Sequence, residues 1–223
     1  MTVRPPPVTA ALFRDLDTAD AEEVKRRCGA FVRSLHAYLN DLPCLRGLQQ
    51  ARRRWKARTT HADAFGTFAS DPNHWYTFHH GGRNEGQFNI GLSPARMRVG
   101  LGFEFSVKKG GDPTAVHLAY ACFAQVIRRD PDGFGRFVAV NRLEVDWASD
   151  GGGPAGSVPT DQVVSWLLDP PRVPHWIFVG RLLRAGPDAP TLGDPDALGA
   201  VMEAVFGGFR PVWEQTHVMA HAP

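Results

Sequence analysis

The amino-acid sequence predicts an α+β fold, on three observations. Met97, Val99, Leu101, Phe103 and Phe105 alternate with Arg98, Gly100, Gly102 and Glu104, the period-two pattern of a strand with one apolar face. Val24, Cys28, Phe31, Leu35 and Leu39 recur at three- and four-residue steps, the pattern of a helix with one apolar stripe. No regular strand–helix–strand alternation runs through the chain, which argues against a doubly wound parallel sheet. The expected architecture is an antiparallel meander packed against several helices.

The chain has 223 residues, enough for a substantial core, and reads as a single α+β domain over 1–223. Hydrophobic content of 43% and charged content of 22% are ordinary globular values, and the net charge of +2 decides little alone. Three widely spaced cysteines, Cys28, Cys44 and Cys122, form no CxxC pair and read as reduced, mostly buried thiols. No apolar run approaches the roughly 20 residues of a membrane span, and no signal-peptide segment opens the chain. The expectation is a cytoplasmic protein with no membrane partner. No cofactor motif stands out, so the cofactor stays unknown.

Taken in order, residues 1–16, with Pro5, Pro6 and Pro7, read as a frayed tail. A helix opens near Asp17-Thr18-Ala19-Asp20 and runs to about Asn40. Pro43 separates it from a second helix over 44–57, the most basic stretch, with Arg52, Arg53, Arg54 and Lys56 around Trp55. A connection follows, with a short strand at 64–68. The meander spans 74–111: a first segment holding Trp75, His79 and His80, a hairpin containing Gly81, Gly82 and Arg83, a second segment with Gln87 and Asn89, a turn at Ser93-Pro94-Ala95, and the alternating third segment. Asp112 and Pro113 give an N-cap and first helical residue for a helix over 113–128. Residues 130–133 read as a loop and 136–147 as an alternating strand that sets Glu144 and Asp146 on one face. Residues 150–157 form a glycine-rich loop without the phosphate-cradle pattern. Thr160 caps a short helix over 161–168, residues 175–184 make a central strand, and a last helix over 195–206 is interrupted by Gly207 and Gly208 before a tail at 214–223.

The meander carries the candidate chemistry. If its apolar faces coincide, Gln87, Asn89, Arg98 and Glu104 share one surface. Gly100 and Gly102 leave a shallow trough in it, where a ligand or another backbone approaches closely. Adjacent His79 and His80 point to opposite faces of a strand, which argues against joint metal ligation, and no HExxH accompanies them. Glu104 and Lys108 depart from the tighter acid–lysine spacing of common nucleases, although Ser106-Val107-Lys108 offers a looser variant.

The reading favoured on these residues is contact with DNA or RNA, by a recognition module or nuclease of a DNA-processing or defence system. Arg52, Arg53, Arg54 and Lys56 supply phosphate contacts, and Arg98 joins the binding face of the meander. Trp75 stacks bases, Arg83 reaches phosphate or a guanine edge, and Gln87 or Asn89 bonds an adenine edge. A second reading is a small-molecule enzyme with His79 or His80 as general acid–base and Glu104 as its partner. A third is an interaction domain without chemistry.

Overall fold

A computed structural model describes residues 4–17, 21–45, 56–59, 76–80, 86–105, 112–148, 155–170 and 175–220. The α+β expectation holds. The strands β1 (Lys56–Thr59), β2 (Tyr76–His80), β3 (Gln87–Leu92), β4 (Arg96–Glu104), β5 (Glu144–Ala148), β6 (Ala155–Val158) and β7 (Trp176–Arg184) form one sheet in the order β1-β2-β3-β4-β7-β5-β6. The helices are α1 (Ala10–Leu16), α2 (Ala21–Asn40), α3 (Pro113–Arg129), α4 (Pro131–Asn141), α5 (Val163–Leu168), α6 (Ala189–Gly193) and α7 (Pro195–Ala220). The chain's contacts divide it into two compact units. The first is Met1–His80, Asn89–Val99 and Leu182–Ala204; the second is Gly81–Phe88, Gly100–Arg181 and Val205–Pro223.

In the first unit the frayed tail gives way to structure. Thr9 caps α1 by accepting from the backbone N–H of Leu12 at 3.2 Å, and Leu12, Phe13 and Leu16 are buried. The N–H of Val8 donates to the carbonyl of Leu192 at 2.7 Å, which ties the start of the chain down. The prolines mislead here because they precede the helix instead of replacing it. The amphipathic α2 follows the expected stripe, with Cys28, Leu35 and Leu39 buried. The basic helix over 44–57 does not hold at its ends: Pro43–Leu45 is a 3-10 turn and Lys56 opens β1. Pairing along β2 overrides the helix propensity of that short segment.

The meander strands β2, β3 and β4 are neighbours in the expected order. The Ser93 turn closes the β3–β4 hairpin. Its N–H donates to the carbonyl of Arg96 at 2.9 Å, and its Oγ accepts from the N–H of Arg96 at 3.2 Å. A three-residue connection fits only an antiparallel pair.

In the second unit the expected strand over 136–147 is instead α4, and β5 begins at Glu144. Asp130 accepts from the N–H of Gly133 at 2.8 Å, and Pro131 takes the first helical position, so 130–133 is a helix start and no loop. Arg142 then stops the helix in the left-handed region, at φ 50°. Asp130→Ala is expected to cost about 1 kcal/mol, read as a fall of a few degrees in thermal midpoint; an unchanged midpoint contradicts the cap.

The core of this unit is aromatic. Phe103 packs on Tyr120 and Phe123 of α3, at 5.3 and 5.1 Å between centroids. Phe123 meets Phe134 of α4, and Phe134 and Phe137 meet Phe209 of α7. Phe88 lies against Phe206 and Trp213, and the Trp213 indole donates to the carbonyl of Gly86 at 2.7 Å. These contacts explain why α7 does not break at Gly207 and Gly208. A Cβ at Gly208 would overlap the ring of Phe137, so the glycine sits where two helices approach closely. The helix runs to Ala220 through the stretch expected as a tail. Part of the expected glycine loop, Ala155–Val158, is the edge strand β6, paired to β5. The expected 161–168 helix begins with a 3-10 turn, Thr160–Gln162, before α5. Strand β7 is central and deeply buried, as expected.

Burial of titratable groups gives a prediction. Desolvation raises the Cys28 thiol from 9.0 to about 11, and raises the phenols of Tyr38 and Tyr120. The folded state therefore keeps protons that the unfolded chain loses. The stability these groups contribute is full below pH 9 and falls as pH rises through the folded values. The urea midpoint is expected to drop between about pH 9 and 11, and Tyr38→Phe to flatten part of that drop. A midpoint constant across this range contradicts the assignment.

Candidate functional site

β1 is an edge strand beside β2, and the register sets Lys56 opposite His79 and Arg58 opposite Thr77. The chain's arginine-rich stretch thus runs directly into a strand hydrogen-bonded to the one carrying His79 and His80. Of Lys56, His79 and His80 the backbone positions are described. Arg52, Arg53, Arg54, Trp75, Arg83 and Lys108 lie outside the described residues, as does the strand expected at 64–68.

The β3–β4 hairpin departs from the expected open surface. Asn89 is 5% exposed and Arg98 8% exposed, and Arg98 Nε donates to Asn89 Oδ1 at 3.2 Å. A guanidinium keeps its charge at any ordinary pH, so removing it from water is costly without acceptors. The Asn89 carbonyl offsets part of that cost. These two side chains therefore hold the hairpin from inside and are not laid out on an open face. Residues 97–103 of β4 are buried on both parities, so alternation of residue type does not mean alternation of exposure here.

The glycine trough is occupied by backbone. A Cβ on Gly100 would collide with the carbonyl of Val179 and stand 2.6 Å from the Cα of Gly180. Of the two occupants expected, ligand or backbone, β7 is the one found. Gln87 is half-buried and Glu104 is exposed. Asn89, Arg98, Lys56, His79 and His80 belong to the first compact unit, whereas Gln87 and Glu104 belong to the second.

One signal escaped the residue-by-residue reading because the whole-chain charge hides it. Residues 24–58 hold ten Lys or Arg and one acid, Asp41, while the remaining residues hold 15 Lys or Arg and 22 Asp or Glu. Where described, that stretch is α2 beyond its first turn, the 3-10 turn and β1, and α2 packs against β1. Basic residues are thus concentrated in a stretch whose described part includes the edge strand β1. At the start of α2, Glu23 binds both Arg26 and Arg27, at 2.7 and 2.6 Å, and Arg27 also reaches Asp15 at 3.1 Å. The Arg26 and then the Arg27 hydrogen bonds hold the Glu23 carboxyl below its ordinary value.

Among the described residues no group of three or more His, Cys, Asp or Glu gathers as metal ligands do. No described helix is long and apolar enough to cross a membrane. A scan against protein-family models finds no match, and a search of curated proteins finds no similar sequence.

Proposed function

We propose that this chain contacts nucleic acid, as a recognition protein, through the basic edge of its sheet. The observation that carries the reading is the concentration of ten cationic residues and one acid in 24–58, folded where described into α2 and β1, which pack on one another. Clustered Lys and Arg on adjoining elements give a polyanion a footprint that a scattered +2 does not. Arg52, Arg53, Arg54, Lys56 and Arg58 are the phosphate contacts in this reading. Trp75, Arg83 and Gln87, on or flanking the next strands, are the groups for base stacking and base edges. Arg98 and Asn89 serve it from behind, by fixing the hairpin next to β2.

The test is fluorescence anisotropy with labelled duplex and single-stranded DNA and RNA at two salt concentrations. Binding that weakens by about a thousandfold between about 50 and 200 mM salt corresponds to roughly six phosphate contacts. No binding to any of these probes at the lower salt ends the reading.

A further inference from the structure

The outer face of α2 carries no assignment so far, and the sheet edge is only half of the basic stretch. Arg26, Ala30, Arg33 and Ala37 are exposed and spaced at three- and four-residue steps, so they form one stripe along the helix. Between Arg26 and Ala37 no acid lies on that stripe, and Glu22 and Glu23 stand one turn before it. Arg26 is held by Glu23. Arg33 makes no hydrogen bond or ion pair to a described residue, and its guanidinium lies back over Gly29, 3.4 Å from where a Cβ there would stand. Small neighbours on both sides, Ala30 and Ala37, let a large anion approach the helix surface.

We propose that this face of α2, centred on Arg33, is a second phosphate-contacting surface that extends the β1 edge and binds the backbone of the same nucleic acid. The proposal rests on the nucleic-acid reading above. Two features favour this occupant over a protein or a lipid surface. The stripe is cationic without large apolar side chains, so it offers charge and little area for hydrophobic docking. It also belongs to the same acid-poor stretch as β1, on a helix that packs against that strand. A backbone contact of this kind adds affinity and salt sensitivity with no sequence preference.

The experiment compares Arg33→Glu, Arg33→Gln and Arg33→Lys with the unaltered chain, using the duplex and single-stranded probes at several salt concentrations. Arg136→Glu, an exposed change on α4, serves as the control. Arg33→Gln is expected to weaken binding about fivefold and to lower the slope of log affinity against log salt by about 1, and Arg33→Glu to do more. Arg33→Lys is expected to restore the slope, and Arg136→Glu to change nothing. Both sites are exposed, so thermal midpoints should stay put, and the Gln variant stands in should the Glu variant melt early. If the unaltered chain binds while Arg33→Gln and Arg33→Glu bind equally well with the same slope, the α2 surface is overturned and the sheet edge stands. If the unaltered chain binds no probe at low salt, both readings fall together.

Discussion

Reversing the charge of Arg52, Arg53 and Arg54 together, as Arg52→Glu, Arg53→Glu and Arg54→Glu, is expected to weaken nucleic-acid binding by about a hundredfold or more. The reason is counterion release. Each cation that neutralises a phosphate frees condensed counterions, so the salt slope scales at roughly 0.9 per contact. Losing three contacts lowers the slope by about 3, and three new carboxylates repel the backbone as well. The three arginines precede in sequence the edge strand β1, whose first residue is Lys56. The measurement is anisotropy at several salt concentrations, with a melting curve to show that the fold persists. A triple variant that melts normally and binds with unchanged slope removes the basic edge from the interface.

Much of the fold is legible in the sequence where local signals agree. The third meander strand, the Ser93-Pro94-Ala95 turn and the Asp112-Pro113 cap each reappear as expected, and Asp112 accepts from the N–H of Thr114 at 2.9 Å. The region 130–148 shows where they conflict. Asp130-Pro131 repeats the cap signature of Asp112-Pro113, yet Gly133 suggests a loop and the apolar residues after it alternate like a strand. Phe134 and Val138, four apart, also fit a helix, and both are buried. What decides between the two periods is the docking of Phe134 and Phe137 on Phe209, more than 70 residues downstream, and no local window contains it.

The candidate site is legible in a different way. Residue types alone place Gln87, Asn89, Arg98 and Glu104 on one parity, but exposure depends on what covers the sheet, which is non-local. Asn89 and Arg98 turn inward to one another, whereas Glu104 at the strand end stays exposed. The charge gathered in 24–58 is fully readable from the sequence. It is missed when helix and strand are read as separate elements, because only the packing of α2 on β1 brings them together.

Gly100→Val is expected to destabilise the protein by about 3 kcal/mol or more, and to cost it folding at ordinary temperatures if the margin is small. The strand pattern over 97–105 invites the opposite expectation, since valine is a better strand former than glycine. Packing reverses the sign. The added Cβ would meet the Val179 carbonyl, the Gly180 Cα and, at 2.9 Å, the Phe178 ring, which is fully buried. Two of the three obstacles are backbone in a central strand paired to β5, as Glu144 opposite Gly180 and Val145 opposite Val179, so they cannot step aside without breaking that ladder. Gly193→Ala is the matched control: a Cβ there meets nothing within 4 Å, at an exposed helix end. It is expected to shift stability by no more than about 0.5 kcal/mol. Urea denaturation of the two variants checks both values. A Gly100→Val protein as stable as the control would mean that β4 and β7 do not approach at Gly100, and that the trough over this strand is open to a ligand after all.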